Sequence, residues 1–435
     1  MARLRRDAFL DLSPFRASPA FTRMWIGSTL AGLGGQLTVV AVMLHMFALT
    51  ESTFAVAMIA VAGLVPMILA GLYGGMLADA FDRRRVALLA ASVTFASTAG
   101  LAVLAWNGVE SVWWLYALTM INSAANSIVM AARQSIIPRL LPRELLPAAS
   151  ALGGITMGLM VMGGPALAGV LVALTGYAWT YSIDVVLMLA NFAGLWALPA
   201  IRPEGEIVRP GLASLRDGWR FLRRASNIRL QFLLDIVAMT FGQPIALFPA
   251  LGAVLLGGGP ITTGLLTASI AAGAFLSSVF SGPVARVRRQ GLGIQRAIIG
   301  YGIAIGVFGA TLVLGAAGAF ATGPVDEQHP NVAVITLSML ALAAAGACDN
   351  VSSIFRNTMV QAAVPDAMRG RLQGVFIVVV AGGPRVGALY AGTLATVTAL
   401  WTPPLLGGVV IVGLVVLAVR LSPRFRRYDA EHPEP

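Results

Sequence analysis

The stretch Gly75-Met76-Leu77-Ala78-Asp79-Ala80-Phe81-Asp82-Arg83-Arg84-Arg85 is a compact charged turn between two apolar runs, residues 54–78 and 86–106. A hydrocarbon core about 30 Å thick takes roughly 20 apolar residues of helix to cross, so each run can span a bilayer. The turn reads as a hinge at the membrane surface, with Asp79 closing one helix and Arg83, Arg84 and Arg85 opening the next.

Composition points the same way. Of 435 residues, 57% are hydrophobic and 11% charged, against roughly 25% charged in an ordinary soluble domain, and the mean hydropathy is +0.82. This is an integral membrane protein. Its apolar runs are continuous rather than alternating, which argues against an outer-membrane barrel. The formal charge of +11 would suggest nucleic acid in a soluble chain, but membrane topology explains it here and no nucleic-acid partner is expected. Cys348 is the single cysteine and His45, His329 and His432 are far apart, so no disulfide and no metal site is expected. There is no Walker sequence, so transport would draw on an ion gradient. No nucleophile and base stand out, so an enzyme is not expected and no cofactor is implied. The basic N-terminus precedes an apolar run, residues 24–49, too long for a signal core, which reads as a retained first helix.

Apolar runs fall near 24–49, 54–78, 86–106, 112–132, 148–175 and 179–199, then 230–255, 261–284, 294–319, 332–355, 372–397 and 402–420. The expected architecture is all-α, with twelve transmembrane helices in two pseudo-symmetric six-helix bundles. These are an N-terminal half, 1–199, a linker, 200–229, and a C-terminal half, 230–435. In the linker Leu215, Trp219 and Leu222 recur at helical spacing, the pattern of an amphipathic helix on the membrane surface.

Arginine placement selects an orientation. With the N-terminus inside, arginines cluster at 3–23, 83–85, 133–143, 202–229, 286–296, 356–371 and 420–427, all on the cytoplasmic side, while the outer loops carry Glu51, Glu110, Asp326 and Glu327. The positive-inside rule then places both termini in the cytoplasm, in a bacterial-type inner membrane. An internal repeat supports the division: Asn126, Arg133 and Pro142 match Asp349, Arg356 and Pro365, each pair 223 residues apart, and Gly164-Pro165 matches Gly383-Pro384. Repeats of this kind build transporters with a site near the midplane.

Ionisable groups inside spans are costly and are usually paired or functional. A rise of about 1.5 Å per residue from Arg371 puts Arg385 about 20 Å deep, where it needs an anionic partner, either a protein carboxylate or an anionic substrate. The carboxylates in reach are Asp235 and Asp184 within spans and Asp349 near an inner end; Asp349 can also simply pair with Arg356, two turns on, at the inner surface. Gln36 and Gln243, each after a glycine, should face inward to find hydrogen-bond partners. In the hinge, the residues alone read as a topological anchor. The Gly-Pro step at Gly164-Pro165, followed by Ala168 and Gly169, allows close packing and a kink.

The pattern Gly75, Asp79, Arg83, Arg84 resembles the loop between the second and third helices of the major facilitator superfamily, with Asp82 where glycine is usual. The resemblance implies a latch there, in which the arginines pair with Asp82 or lipid phosphate. Gly164-Pro165-Ala166-Leu167-Ala168-Gly169 resembles the fifth-helix antiporter signature of its drug exporters, with Ala168 a departure from glycine. Gly35-Gln36-Leu37-Thr38, Ala131-Ala132-Arg133-Gln134-Ser135, Gly242-Gln243-Pro244 and Gly382-Gly383-Pro384-Arg385 extend the likeness to its siderophore exporters of the enterobactin type and the related macrolide and multidrug exporters. The resemblance implies a central cavity, with Asp235 favoured as proton carrier on a cavity-lining helix and Asp184 on a peripheral one. It also implies proton-driven efflux of a small molecule by alternating access. Protons, membrane lipids and the small-molecule substrate are the expected partners of a monomer, with multidrug or macrolide antiport as the alternative function.

Overall fold

The computed structural model describes residues 11–201, 220–282, 284, 287–321, 323–364 and 366–431, and the backbone alone of 72, 75, 78, 79 and 366–381. Every regular element among them is a helix. The long ones are α1 (Pro19–Thr50), α2 (Thr53–Ala80), α3 (Arg83–Trp106), α4 (Val112–Leu140), α5 (Leu146–Trp196), α6 (Ser226–Phe241), α7 (Gly259–Val279), α8 (Gln290–Ala316), α9 (Val332–Ala363), α10 (Asp366–Val397) and α11 (Thr402–Arg420); α12 (Pro423–Arg427) is a short terminal turn. Ten stretches among the described residues are long and apolar enough to cross a membrane. One of them contains α5, whose 51 residues would measure about 75 Å if straight, more than two hydrocarbon thicknesses. The chain turns within it at Gly176, where φ is +79°, a left-handed conformation that costs glycine nothing.

The outward faces suit lipid. Leu89, Leu174, Val186, Leu340 and Val409 are exposed, an arrangement that water would penalise and hydrocarbon does not. Trp106 and Trp179 meet edge to face at 5.1 Å, and the Trp106 indole donates to Ser182 Oγ at 3.1 Å. Trp113 and Trp114 at the start of α4 are exposed as well, and exposed tryptophans at helix ends suit a membrane–water interface.

Two compact units form, one of residues 1–45 and 62–209, the other of 46–61 and 210–435. In the first, α3 packs on α4 and α5. A Cβ on Gly27 of α1 would strike the Ala190 carbonyl, and one on Gly194 the Arg23 carbonyl, so glycines on both helices bring α1 and the end of α5 together. In the second, α8 packs on α9 and α11, α7 on α9, and α6 on α10 and α11. Gly273 of α7 and Gly346 of α9 are reciprocal, each abutting the other helix's backbone. Thr53 Oγ1, at the start of α2, donates to the Gly392 carbonyl at 2.8 Å. The expected linker helix falls largely on residues 202–219, outside the described residues; residues 220–224 are helical and Leu222 is buried.

The run expected as one span over 230–255 is discontinuous. α6 ends at Gly242, a 3-10 turn follows over Ile245–Leu247, and a π-helical turn covers Leu251–Leu255. Pro244 lacks the N–H that would continue the α-helical ladder. The Gly242 carbonyl instead accepts from Tyr301 Oη of α8 at 2.6 Å, and a Cβ on Gly242 would collide with that ring. Replacing Tyr301 with Phe keeps the ring and orphans a buried carbonyl. Thermal unfolding in detergent should show the variant destabilised by about 1–3 kcal/mol; an unchanged midpoint would show that water satisfies the break.

Candidate functional site

The break in the second unit opens beside a cavity of about 310 Å³. Its walls come from Gln231, Asp235, Met239 and Gln243 of α6 and its broken end, from Asp349, Ser353, Arg356 and Val360 of α9, and from Pro384 of α10. Gln231, Asp235 and Met239 are spaced four apart, one stripe of a helix. α10 is seated closely: a Cβ on Gly387 would strike the Met239 carbonyl, and one on Gly383 would lie 3.0 Å from Met239 Cβ.

Arg356 ties the site together. Its Nη1 contacts Asp235 Oδ1 and its Nη2 lies 3.3 Å from Asp349 Oδ1. The Arg356 side chain is only 13% exposed and Asp235 7%, whereas Asp349 keeps 40%. A guanidinium presents its N–H groups as a fixed planar fork, so one arginine can hold two carboxylates apart while binding both. With both acids ionised the triad carries one net negative charge. Gln231 is 1% exposed, and its Nε2 and Oε1 have no hydrogen-bond partner among the described residues. A buried amide in that state costs free energy unless something fills the cavity and bonds to it.

Of the expected residues, Asp235, Asp349 and Gln243 come together here. Spacing in the sequence offers a pair of Arg356 with Asp349, two turns earlier on one helix face; that contact is present, and what the spacing does not show is that the same guanidinium also reaches Asp235. The signal that could have singled out Arg356 is the repeat, which pairs it with Arg133. Gln231 was also missed, although its spacing from Asp235 was visible. Arg385, half-buried in α10, follows Pro384 but is not among the described residues lining the cavity.

Asp184 and Gln36 belong to the first unit. Thr38 Oγ1 donates to Asp184 Oδ2 at 2.5 Å, while Asp184 Oδ1 has no partner among the described residues. Gly34 has no room for a Cβ against that carboxylate. Two turns along α1 from Thr38, His45 stacks on Tyr177 with ring centroids 4.4 Å apart and meets Tyr181 Oη at 3.3 Å. Gln36 packs against Gly164, where a Cβ would come within 3.1 Å of Gln36 Cγ. This mirrors Gly383 and Gly387 against Met239 and Gln243 in the other unit. Pro165 and Gly169 lie buried on the same stretch of α5.

At the hinge, Asp82 caps α3. Its Oδ1 accepts from the Arg84 amide at 3.0 Å and from the Ile201 amide at 3.2 Å. Arg83 Nη1 donates to the Ser135 carbonyl at 2.9 Å and Arg84 Nη2 to the Trp196 carbonyl at 2.7 Å. These arginines thus bind the carbonyl ends of α4 and α5, which suits the dipole of a helix C-terminus. The surroundings of Gly75 and the Asp79 side chain lie outside the described residues.

Residues 10–435 match the transmembrane secretion effector family of the major facilitator superfamily. The chain belongs to that family. It is 29% identical over 433 residues to the enterobactin exporter EntS of Citrobacter koseri, covering 99% of this chain and 98% of that one. The enterobactin exporter EntS of Escherichia coli O81 is 28% identical over 432 residues, covering 99% and 98%. Among solved structures, an auto-inhibited peptide transporter of the POT family superposes with TM-score 0.72 at 13% identity, covering 95% of this chain and 99% of that one. A bacterial homologue of the iron transporter ferroportin, in its inward-facing state, gives 0.65 at 15% identity, covering 94% and 99%. The fold is that of the major facilitator transporters, and the chain is a multi-pass membrane transporter of small molecules.

Replacing Arg356 with Ala leaves Asp235 buried without its cation. We expect about 3–5 kcal/mol of destabilisation in detergent unfolding, partly relieved when Asp235→Asn is added. No loss of stability would mean that the triad is not closed in the folded protein.

Proposed function

We propose that this protein is a secondary active exporter that carries a siderophore of the enterobactin type out of the cytoplasm by alternating access, in exchange for protons. The full-length likeness to enterobactin exporters supports the cargo class, and the Asp235–Arg356–Asp349 triad supports the coupling. Asp235 anchors Arg356; Asp349, the more accessible acid, exchanges the proton. When ionised, Asp349 accepts hydrogen bonds from cargo hydroxyl or amide groups, together with the Gln231 amide. A proton on the same carboxylate neutralises the triad and removes that acceptor. Cargo and proton then exclude each other, which is what antiport requires. The cavity is at the small end for ligand pockets and takes part of a bulky cargo, with Arg385 supplying positive charge for its anionic portion. Asp184 serves the packing of α1 on α5. The chain performs no catalysis, and it works as a monomer with twelve crossings and both termini in the cytoplasm.

Efflux of a neutral or cationic macrolide or drug is the second reading. It is favoured by the negative charge of the ionised triad and by the apolar Phe232, Met239 and Val360 on the cavity wall.

Inside-out vesicles with an imposed proton gradient separate the two. Gradient-driven uptake of a catecholate siderophore is expected. Asp349→Asn, which fixes the neutral state, should abolish gradient-driven uptake and weaken cargo binding, and Arg385→Ala should weaken siderophore binding. Macrolide uptake indifferent to Arg385→Ala would move the protein to drug export, and no gradient-dependent flux of either compound would overturn both readings. Orientation is tested in a Cys348→Ser background: Glu327→Cys should react with an impermeant maleimide in intact cells, and Arg426→Cys only after permeabilisation.

A further inference from the structure

At the arginine-rich end of the second unit, away from the triad, a cavity of about 500 Å³ lies between the start of α8 and the end of α11. Arg289, Arg420, Arg426 and Arg427 line it, with Leu292, Pro423 and a single carboxylate, Asp429. None of the four guanidiniums makes an ion pair among the described residues. Asp429 lies 3.8 Å from a fifth arginine, Arg288, which also pairs with Glu431. The cavity therefore carries a surplus of positive charge.

Backbone packing holds this cluster together against its own repulsion. Gly291 sits so close to α12 that a Cβ would collide with the Phe425 carbonyl, and the Phe425 side chain is buried. The Ala430 amide donates to the Arg288 carbonyl at 3.0 Å. Like charges fixed near one another favour a bound anion, and guanidiniums match the paired oxygens of a phosphate. The setting also specifies where the phosphate comes from. Leu417, one turn before the cavity's Arg420, and Leu421, the residue after it, are 54% and 74% exposed, apolar surface against which acyl chains can lie while the headgroup enters the cavity.

We propose that this cavity is a binding site for the phosphate of an anionic phospholipid. Basic pockets between transmembrane helices take such headgroups, and each arginine near the surface contributes about fivefold in affinity. The site is independent of the transport reading, since none of its residues touches the triad.

The test is lipid binding by the full-length, delipidated protein, followed by native mass spectrometry with phosphatidylglycerol, phosphatidylcholine and inorganic phosphate as probes. One phosphatidylglycerol should be retained in preference to phosphatidylcholine. The double variant Arg289→Gln, Arg427→Gln should bind it about 25-fold more weakly. Arg424→Gln, which removes one charge from the short helix that carries Arg426 and Arg427 but does not line the cavity, should bind like the native protein. Arg426→Gln alone, expected to cost about fivefold, stands in if the double variant does not fold. Binding of inorganic phosphate that is lost in the same variants, without retention of phosphatidylglycerol, would keep the phosphate site but overturn its lipid source. Equal retention of both lipids, or equal binding by native protein, Arg424→Gln and the cavity variants, would overturn the proposal.

Discussion

An arginine held between two aspartates away from water is the constraint on which the second unit depends. Removing charges from water is expensive, and mutual attraction offsets that cost only when geometry is close and further hydrogen bonds complete it. Arg356 meets the condition by bridging Asp235 on α6 and Asp349 on α9. Removing the cation would leave two carboxylates facing one cavity, Asp235 of them buried. The triad therefore ties together two helices that are distant in sequence and leaves an odd negative charge whose state a proton can change.

The broken span beside the triad follows from the same accounting. In hydrocarbon every backbone polar group needs a partner, so a helix can be interrupted only where protein supplies one. Tyr301 satisfies the Gly242 carbonyl, and α10, thinned to glycine at Gly383 and Gly387, comes close enough to cover the opening. Discontinuous helices that line a cavity are a recurrent feature of transporter folds. The first unit repeats the packing, Gly164 on Gln36, but not the triad. Its buried acid, Asp184, accepts from Thr38 at one oxygen only, while the other has no partner among the described residues.

The arginines fall into three physical groups. Arg356 is buried and paired. Arg83 and Arg84 bind carbonyls at helix ends, turning surface charge into local structure. Arg289, Arg420, Arg426 and Arg427 line one cavity and make no ion pair among the described residues. A residue count treats all of them as topological signals, yet their surroundings differ: carboxylates, helix ends, and a cavity shared with other arginines.

The membrane class, the apolar runs and the one-sided arginines were legible in the sequence because hydrocarbon imposes a length and polarity rule on each segment separately. The superfamily was legible from the Gly75–Arg85 turn and the fifth-span Gly-Pro step, which are contiguous. Asp235, Asp349 and Gln243 could be nominated because any polar group in an apolar run stands out. What joined all three could not be read. The Asp349–Arg356 pair was suggested by spacing within one helix, but the reach of the same guanidinium to Asp235 on α6 was not. Gln231, the cap made by Asp82 and the gathering of arginines from α8, α11 and α12 likewise depend on which helix faces which. Polarity is a property of a residue in its segment, whereas pairing is a property of distance between segments, and tertiary packing alone decides it.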